Sequence, residues 1–244
     1  MRTALIALVT VLPATALAQD YDAPRNATVN ASGATLLKID ARAGMLRVTG
    51  RTDITEVRVR GTARASRKGM LEDIKLEATR TGSEVEVRVI MPEWRDNGWN
   101  NGINEALLDL VIETPASLPL DIQDTSGDLT VESVAAKVEI DDNSGNIRVR
   151  DAGGDLRISD SSGGIDIRGV KGSVDIVEDS SGEIEVYDVT GSVRVGRDSS
   201  GSIDVSRVGG DFTVERDGSG GIEYDGVKGK VDIPRRDRYR RGYR

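Results

Sequence analysis

Ser-Gly recurs six times in the second half of this chain, at Ser126-Gly127, Ser144-Gly145, Ser162-Gly163, Ser181-Gly182, Ser200-Gly201 and Ser219-Gly220. The steps are 18, 18, 19, 19 and 19 residues. A period this regular calls for one supersecondary unit laid repeatedly on the next. Each Ser-Gly is followed by an alternating apolar pair: Leu129/Val131, Ile147/Val149, Ile165/Ile167, Ile184/Val186, Ile203/Val205 and Ile222/Tyr224. Period two is the mark of a strand with one buried face. A second such pair completes the unit: Val138/Ile140, Leu156/Ile158, Val174/Ile176, Val193/Val195, Phe212/Val214 and Val231/Ile233. A lone corner residue parts the two strands: Val134, Ala152, Val170, Val189, Val208 or Val227. The unit reads Ser-Gly-x-Ile-x-Val-x-x-Val-x-Gly-x-Val-x-Ile-x-x-Asp-x. Five apolar side chains point inward and stack on their copies, and glycines serve the tight corners. One coil cannot bury its apolar side alone, so stability needs the stack and a cap at each end.

This predicts an all-β chain: a single-stranded β-solenoid (β-helix-like) with 18–19-residue coils over residues 123–234. An irregular β-rich N-terminal cap occupies residues 35–122, where apolar alternation persists without a clean repeat. Examples are Leu37/Ile39, Leu46/Val48, Val57/Val59, Val85/Val87/Val89 and Leu108/Leu110/Ile112. This part reads either as longer, irregular coils or as a small sheet domain merging into the solenoid. Residues 68–73 or 103–108 have room for one helical turn. Aromatics are 3% of the chain, so the core must be aliphatic, and the β-branched share favours strands.

There is no Cys and no His. That excludes disulfides, Cys/His zinc sites and the commonest general acid–base. Arg2 followed by the apolar residues 3–18, ending in Ala16, Leu17 and Ala18, reads as a signal peptide, with Gln19 starting the mature chain. Residues 19–34 form a polar leader. Residues 235–244 hold six Arg and one Asp, a charge of +5; the net −8 of the whole chain then leaves −14 on residues 19–234.

Three features stand apart from the coil's own needs. Asp124, Asp142, Asp160, Asp179, Asp198 and Asp217 each precede a Ser-Gly by two residues, forming a column at about 4.8 Å spacing. They are either turn-formers bonding nearby N–H groups or a calcium ladder. Residues 93–102 interrupt the strands after Pro92 and hold both tryptophans. Trp94, Arg95 and Trp99 could stack on a sugar ring, or the tryptophans could fold back over an apolar end. Arg235, Arg236, Arg238, Arg240, Arg241 and Arg244 make the basic tail. It suits either a solvated segment that blunts an exposed edge or a peripheral contact with an anionic membrane surface.

The layout resembles the bacterial putative-adhesin domain family. The carrying stretches are residues 36–60, residues 110–131 with Leu-Val-Ile-Glu-Thr-Pro-Ala-Ser-Leu-Pro-Leu, and the Ser-Gly coils. The resemblance implies an exported envelope protein and an adhesive role, and it carries no binding residues over. The expected function is a non-enzymatic envelope or surface solenoid for adhesin-like binding or scaffolding. Its partner would be an envelope glycan, a surface polymer or a membrane protein, with no nucleic acid and no cofactor. The alternatives are a regulatory or accessory envelope protein acting through a membrane partner, and a carbohydrate-active β-helix enzyme. Against the enzyme, outward residues such as Asp166, Arg168 and Asp175 recur with the repeat, and the six turn serines have no His to activate them. The expected location is the periplasm, the outer surface or the medium.

Overall fold

The computed structural model describes residues 21–92 and 105–234. It is built from strands, with one short helix, α1 (Lys68–Asp73). The N-terminal strands are β1 (Tyr21–Asn30), β2 (Leu36–Asp40), β3 (Leu46–Arg51), β4 (Glu56–Ala65), β5 (Lys75–Thr81), β6 (Glu84–Ile90) and β7 (Ala106–Pro115). Then come the coils, two strands each: β8 (Leu120–Asp124) with β9 (Leu129–Glu132), β10 (Val138–Asp142) with β11 (Ile147–Ala152), and β12 (Leu156–Asp160) with β13 (Ile165–Val170). They continue through β14 (Val174–Glu178) with β15 (Ile184–Val189), β16 (Val193–Val195) with β17 (Ile203–Val208), and β18 (Phe212–Val214) with β19 (Ile222–Val227), ending in β20 (Val231–Asp232).

Two ten-stranded sheets face each other across one aliphatic core. One runs β1-β4-β7-β3-β9-β11-β13-β15-β17-β19; the other runs β20-β18-β16-β14-β12-β10-β8-β2-β6-β5. Within the coils all pairing is parallel, and the inward rows keep register, with one shift after Ile158, where Ser159 pairs with Glu178. Ile147, Ile165, Ile184, Ile203 and Ile222 form one row, and Val138, Leu156, Val174, Val193 and Phe212 another. The sequence period and the spatial stack therefore agree, and the β-solenoid is the fold of the protein. Among the described residues no helix is long and apolar enough to cross a membrane.

Gly127, Gly145, Gly163, Gly182, Gly201 and Gly220 all have φ between 122° and 145°. A Cβ at any of the last five would fall on the carbonyl oxygen of the turn glycine one coil earlier. The turns are stacked backbone on backbone, so glycine is required twice over, for its φ and for its missing side chain. Gly44, at φ 127°, is the first rung of this ladder, lying under Gly127.

Gly44 also shows how the N-terminal part is built. β2 and β3 form a coil lying directly against β8 and β9. β6 and β7 form a further coil on its other side, also parallel. The chain thus leaves the stack after β3 and lays its next coil outside the first. It then returns across that coil to start the Ser-Gly series. Antiparallel strands finish this end: β4 on β7, β1 on β4, and β5 on β6. Arg25 of β1 donates from Nε to the carbonyl of Ile74 (2.9 Å) and from Nη2 to that of Leu71 (2.8 Å), tying the edge strand to the end of α1. The helical turn expected at residues 68–73 is α1. At residues 106–108 the expectation fails: they are strand, because Leu107 and Leu108 have ladder partners in Arg64 and Ala63.

A second left-handed position precedes each corner residue. It is Ser133, Asp151, Gly169, Asp188, Arg207 and Gly226 in successive coils, all with φ between 54° and 77°. The consensus leaves this position open, because residues that tolerate such φ are not chemically alike.

Candidate functional site: the outward charge ladders

In-register stacking turns each outward position into a row of side chains one strand spacing apart. On one sheet a row runs Asp121, Glu139, Arg157, Asp175, Arg194, Thr213. Asp175 is held between two guanidinium groups, pairing with Arg157 and with Arg194 Nη1 at 2.6 Å. Arg194 also reaches Glu215 at 2.8 Å.

The other sheet carries two neighbouring rows. One is Arg148, Asp166, Glu185, Asp204; the other is Arg150, Arg168, Tyr187, Ser206. Asp166 is the hub. Arg150 and Arg168 donate to it, the latter from Nε at 3.1 Å, and Arg148 lies 3.8 Å away. Partial burial works to raise the Asp166 pKa, but the Arg150 and Arg168 contacts outweigh it and hold the carboxyl below its usual value. Arg168 bridges on to Glu185 at 3.2 Å and lies 4.9 Å over the Tyr187 ring. The Tyr187 hydroxyl donates to Asp204 at 3.0 Å; its own pKa is raised, first by burial and then by this bond. One connected network therefore spans four coils.

A notch opens beside this network. The residue following each of the first five Ser-Gly pairs forms a further row: Asp128, Asn146, Gly164, Glu183, Ser202. Asn146 Nδ2 donates to Asp128 (3.0 Å), the Gly164 N–H donates to Asn146 Oδ1 (3.1 Å), and the Ser202 hydroxyl donates to Glu183 (3.0 Å). Gly164 contributes no side chain, so the row has a gap there. The result is a cleft of about 170 Å³ lined by Asn146, Arg148, Asp166, Glu183 and Glu185. It presents amide and guanidinium donors beside three carboxylates. The sequence signal was present in the Gly163-Gly164 doublet, but Arg150 and Tyr187 carry no mark that sets them off from other outward residues.

Trp94, Arg95 and Trp99 lie outside the described residues, as do Arg235, Arg236, Arg238, Arg240, Arg241 and Arg244. Near the break in the described chain, Met91, Pro92 and Ala106 line a pocket of about 230 Å³ with Arg42, Thr125 and Ser126, at the Ser-Gly corner.

The aspartate column does not lie on an outward face. Asp142 and Asp160 continue the inward alternation of β10 and β12. Asp124, Asp142, Asp160, Asp179 and Asp198 are all at most 4% exposed. Oδ1 of the last four accepts the N–H of the turn serine two residues on, at 3.1–3.3 Å, and Asp124 Oδ1 accepts from Thr125 at 2.7 Å. This is the turn-forming role. Oδ2 of the same five has no hydrogen-bond partner among the described residues. Burial raises all five pKa values, to about 7 at Asp124 and Asp179 and about 6 at Asp160. Among the described residues no three acidic side chains converge in a way that could hold a metal ion.

No protein-family model matches the chain, and no curated protein matches it. Similarity to solved structures was found. A putative cell adhesion protein from Clostridium sporogenes matches with 10% identity and a TM-score of 0.43, over 88% of this chain and 99% of its own. A putative adhesin from Bacteroides fragilis matches with 13% identity and a TM-score of 0.40, over 88% and 97%. A putative lipid binding protein from Parabacteroides distasonis matches with 16% identity and a TM-score of 0.36, over 85% and 96%.

Proposed function

We propose that the protein is a non-enzymatic solenoid of the bacterial envelope or cell surface that binds an extended polyhydroxylated polymer along the sheet face bearing Asp166. The observation that supports this reading is the cleft at Gly164, set in a rigid row of ion-paired side chains. Its donors and acceptors are held by one another, so little ordering is needed when a ligand's hydroxyls replace water. An extended polymer suits the surface because identical strand spacing repeats its contacts along the stack. Catalysis is disfavoured by the same pairing. Asp166 is held in the ionised form by arginines, and the carboxyls with raised pKa are buried away from any substrate.

The test is a binding screen of the mature chain against envelope polysaccharides and glycan arrays, repeated with Gly164→Gln. That side chain fills the notch where a Cβ meets only the Asn146 side chain at 3.3 Å and the Glu183 carbonyl at 3.7 Å. The expected result is saturable polysaccharide binding by the parent, lost in Gly164→Gln at unchanged Tm. Binding unaffected by Gly164→Gln would remove the cleft from the reading. Release of new chain ends from a polymer would overturn the non-enzymatic assignment.

A further inference from the structure

The outward row that carries Asp166 divides by sign. On the N-terminal side of that residue it runs Arg60, Val111, Arg47, Thr130, Arg148 across β4, β7, β3, β9 and β11. On the other side it runs Glu185, Asp204, Glu223 across β15, β17 and β19. Basic residues occupy one half of the row and acidic residues the other. The boundary falls where Arg148 faces Asp166 at 3.8 Å, in the wall of the Gly164 cleft. The basic half is also evenly spaced. Its arginines stand on every second strand, about 10 Å apart, with Val111 half-buried and Thr130 buried between them. Neighbouring arginines on this face are committed: Arg64 pairs with Asp109 at 3.0 Å and Arg58 with Glu56 at 2.7 Å. The three in the row are held loosely. Arg60 and Arg47 lie 3.5 Å from Glu113 and Glu132, Arg148 lies 3.8 Å from Asp166, and all three side chains are exposed. A charge-assisted hydrogen bond closes to about 2.7–2.9 Å, so these three forks keep most of their N–H donors for a ligand.

We propose, on the footing of the polymer-binding reading, that the polymer is an acidic polysaccharide with one carboxylate per disaccharide, and that it leaves the Gly164 cleft toward the N-terminal end over Arg148, Arg47 and Arg60. Charge fixes the direction. An anionic chain is drawn over the arginines and repelled by the run of Glu185, Asp204 and Glu223 on the other side. Spacing fixes the repeat. Carboxylates one disaccharide apart meet successive arginines two strands apart, and each guanidinium can take a carboxylate with two parallel N–H bonds. The cleft fixes the chemistry of the backbone. Asp166, Glu183 and Glu185 in its lining accept hydroxyl donors, which a sugar ring offers and a polyphosphate chain does not.

The experiment titrates the purified protein with hyaluronan oligosaccharides, which carry one glucuronate per disaccharide. Dextran serves as the neutral polymer and polyphosphate as the dense polyanion. The expected result is saturable hyaluronan binding, at least about tenfold tighter than either control, that weakens as salt is raised. Arg47→Gln and Arg148→Gln should each weaken it about tenfold at unchanged Tm, and Arg47→Lys should recover part of the loss. Lys75→Gln, exposed on β5 of the opposite sheet, should change nothing. Hyaluronan bound no tighter than dextran would overturn the proposal. So would polyphosphate bound as tightly as hyaluronan, and so would an equal loss in Lys75→Gln, which would reduce the effect to net charge. The cleft reading and this one fail separately. Dextran binding lost in Gly164→Gln but untouched by Arg47→Gln, with hyaluronan no tighter, keeps the cleft and overturns the acidic ligand. Hyaluronan binding lost in Arg47→Gln but untouched by Gly164→Gln supports the arginine track and removes the cleft.

Discussion

At Asp124, Asp142, Asp160, Asp179 and Asp198, the aspartate two residues before Ser-Gly does one job with Oδ1 and is penalised at Oδ2. Its first oxygen caps the turn; its second is buried with no partner, which disfavours the charged form. Neighbouring rungs raise one another further, as Asp160 and Asp198 do at Asp179. A carboxyl whose folded pKa lies above its unfolded value near 4 gives its full stabilisation below that value. The contribution is lost as pH rises through the folded value, here about 6 to 7. The protein should therefore melt higher at pH 5 than at pH 8, by at least about 3 °C. Asp166 works in the opposite sense, but its depressed pKa confines that loss to more acid solution. Asp160→Asn keeps an acceptor for the Ser162 N–H, and its amide can donate to the unpartnered oxygens of adjacent rungs. It should shrink the difference, chiefly by raising the Tm at pH 8. Thermal melts of both proteins across pH 4–9 decide this. A parent whose Tm rises steadily to pH 8 would refute it.

At the scale of the element, the turn glycines separate two costs that are usually confounded. Gly163 has φ 140° and would drive a Cβ into the Gly145 carbonyl; Gly82 has φ 61° and open space around it. Gly82→Ala should cost about 1–2 kcal/mol, the price of the left-handed backbone alone. Gly163→Ala adds a backbone clash that only a shift of whole coils relieves, and should cost at least about 3 kcal/mol. Urea denaturation measures both, and equal costs would refute the stacked-turn account. The same element shows what the sequence could reveal. Strands, corners and inward rows were readable because each recurs, and six copies of Ser-Gly leave little choice of register. The N-terminal pairing was not readable. β3 meets β9 across some 80 residues, and nothing local marks that β6 and β7 lie outside β2 and β3. Gly44 was the available clue, a lone turn glycine without its serine. The cleft at Gly164 was half visible, as a missing side chain in an otherwise polar row. The Asp166 hub depended on which rows neighbour one another, a property of the stack.

For the whole molecule, a stack of near-identical coils should behave as a sum of coil and interface terms rather than as one indivisible core. Excising residues 165–183 joins Gly164 to Ile184, removing 19 residues and leaving every remaining row in register. β11 and β12 then meet β15 and β16, which bring isoleucine for isoleucine at Ile184, valine for valine at Val193, and the slightly smaller valine for isoleucine at Val186 and Val195. The shortened chain should fold cooperatively. Its urea m-value should fall by about one-tenth, in proportion to the surface no longer buried. Excising only residues 165–173 removes nine residues, deletes one strand of a coil and brings Val174 to the position of Ile165. The following strand must then serve the wrong sheet, the glycine ladder loses its next rung, and the C-terminal coils should not form. Circular dichroism and urea titration of the two deletions test this directly. If the full-coil deletion unfolds as completely as the half-coil deletion, the stack is not modular, and stability must reside in a single feature near residues 165–183 rather than in repetition.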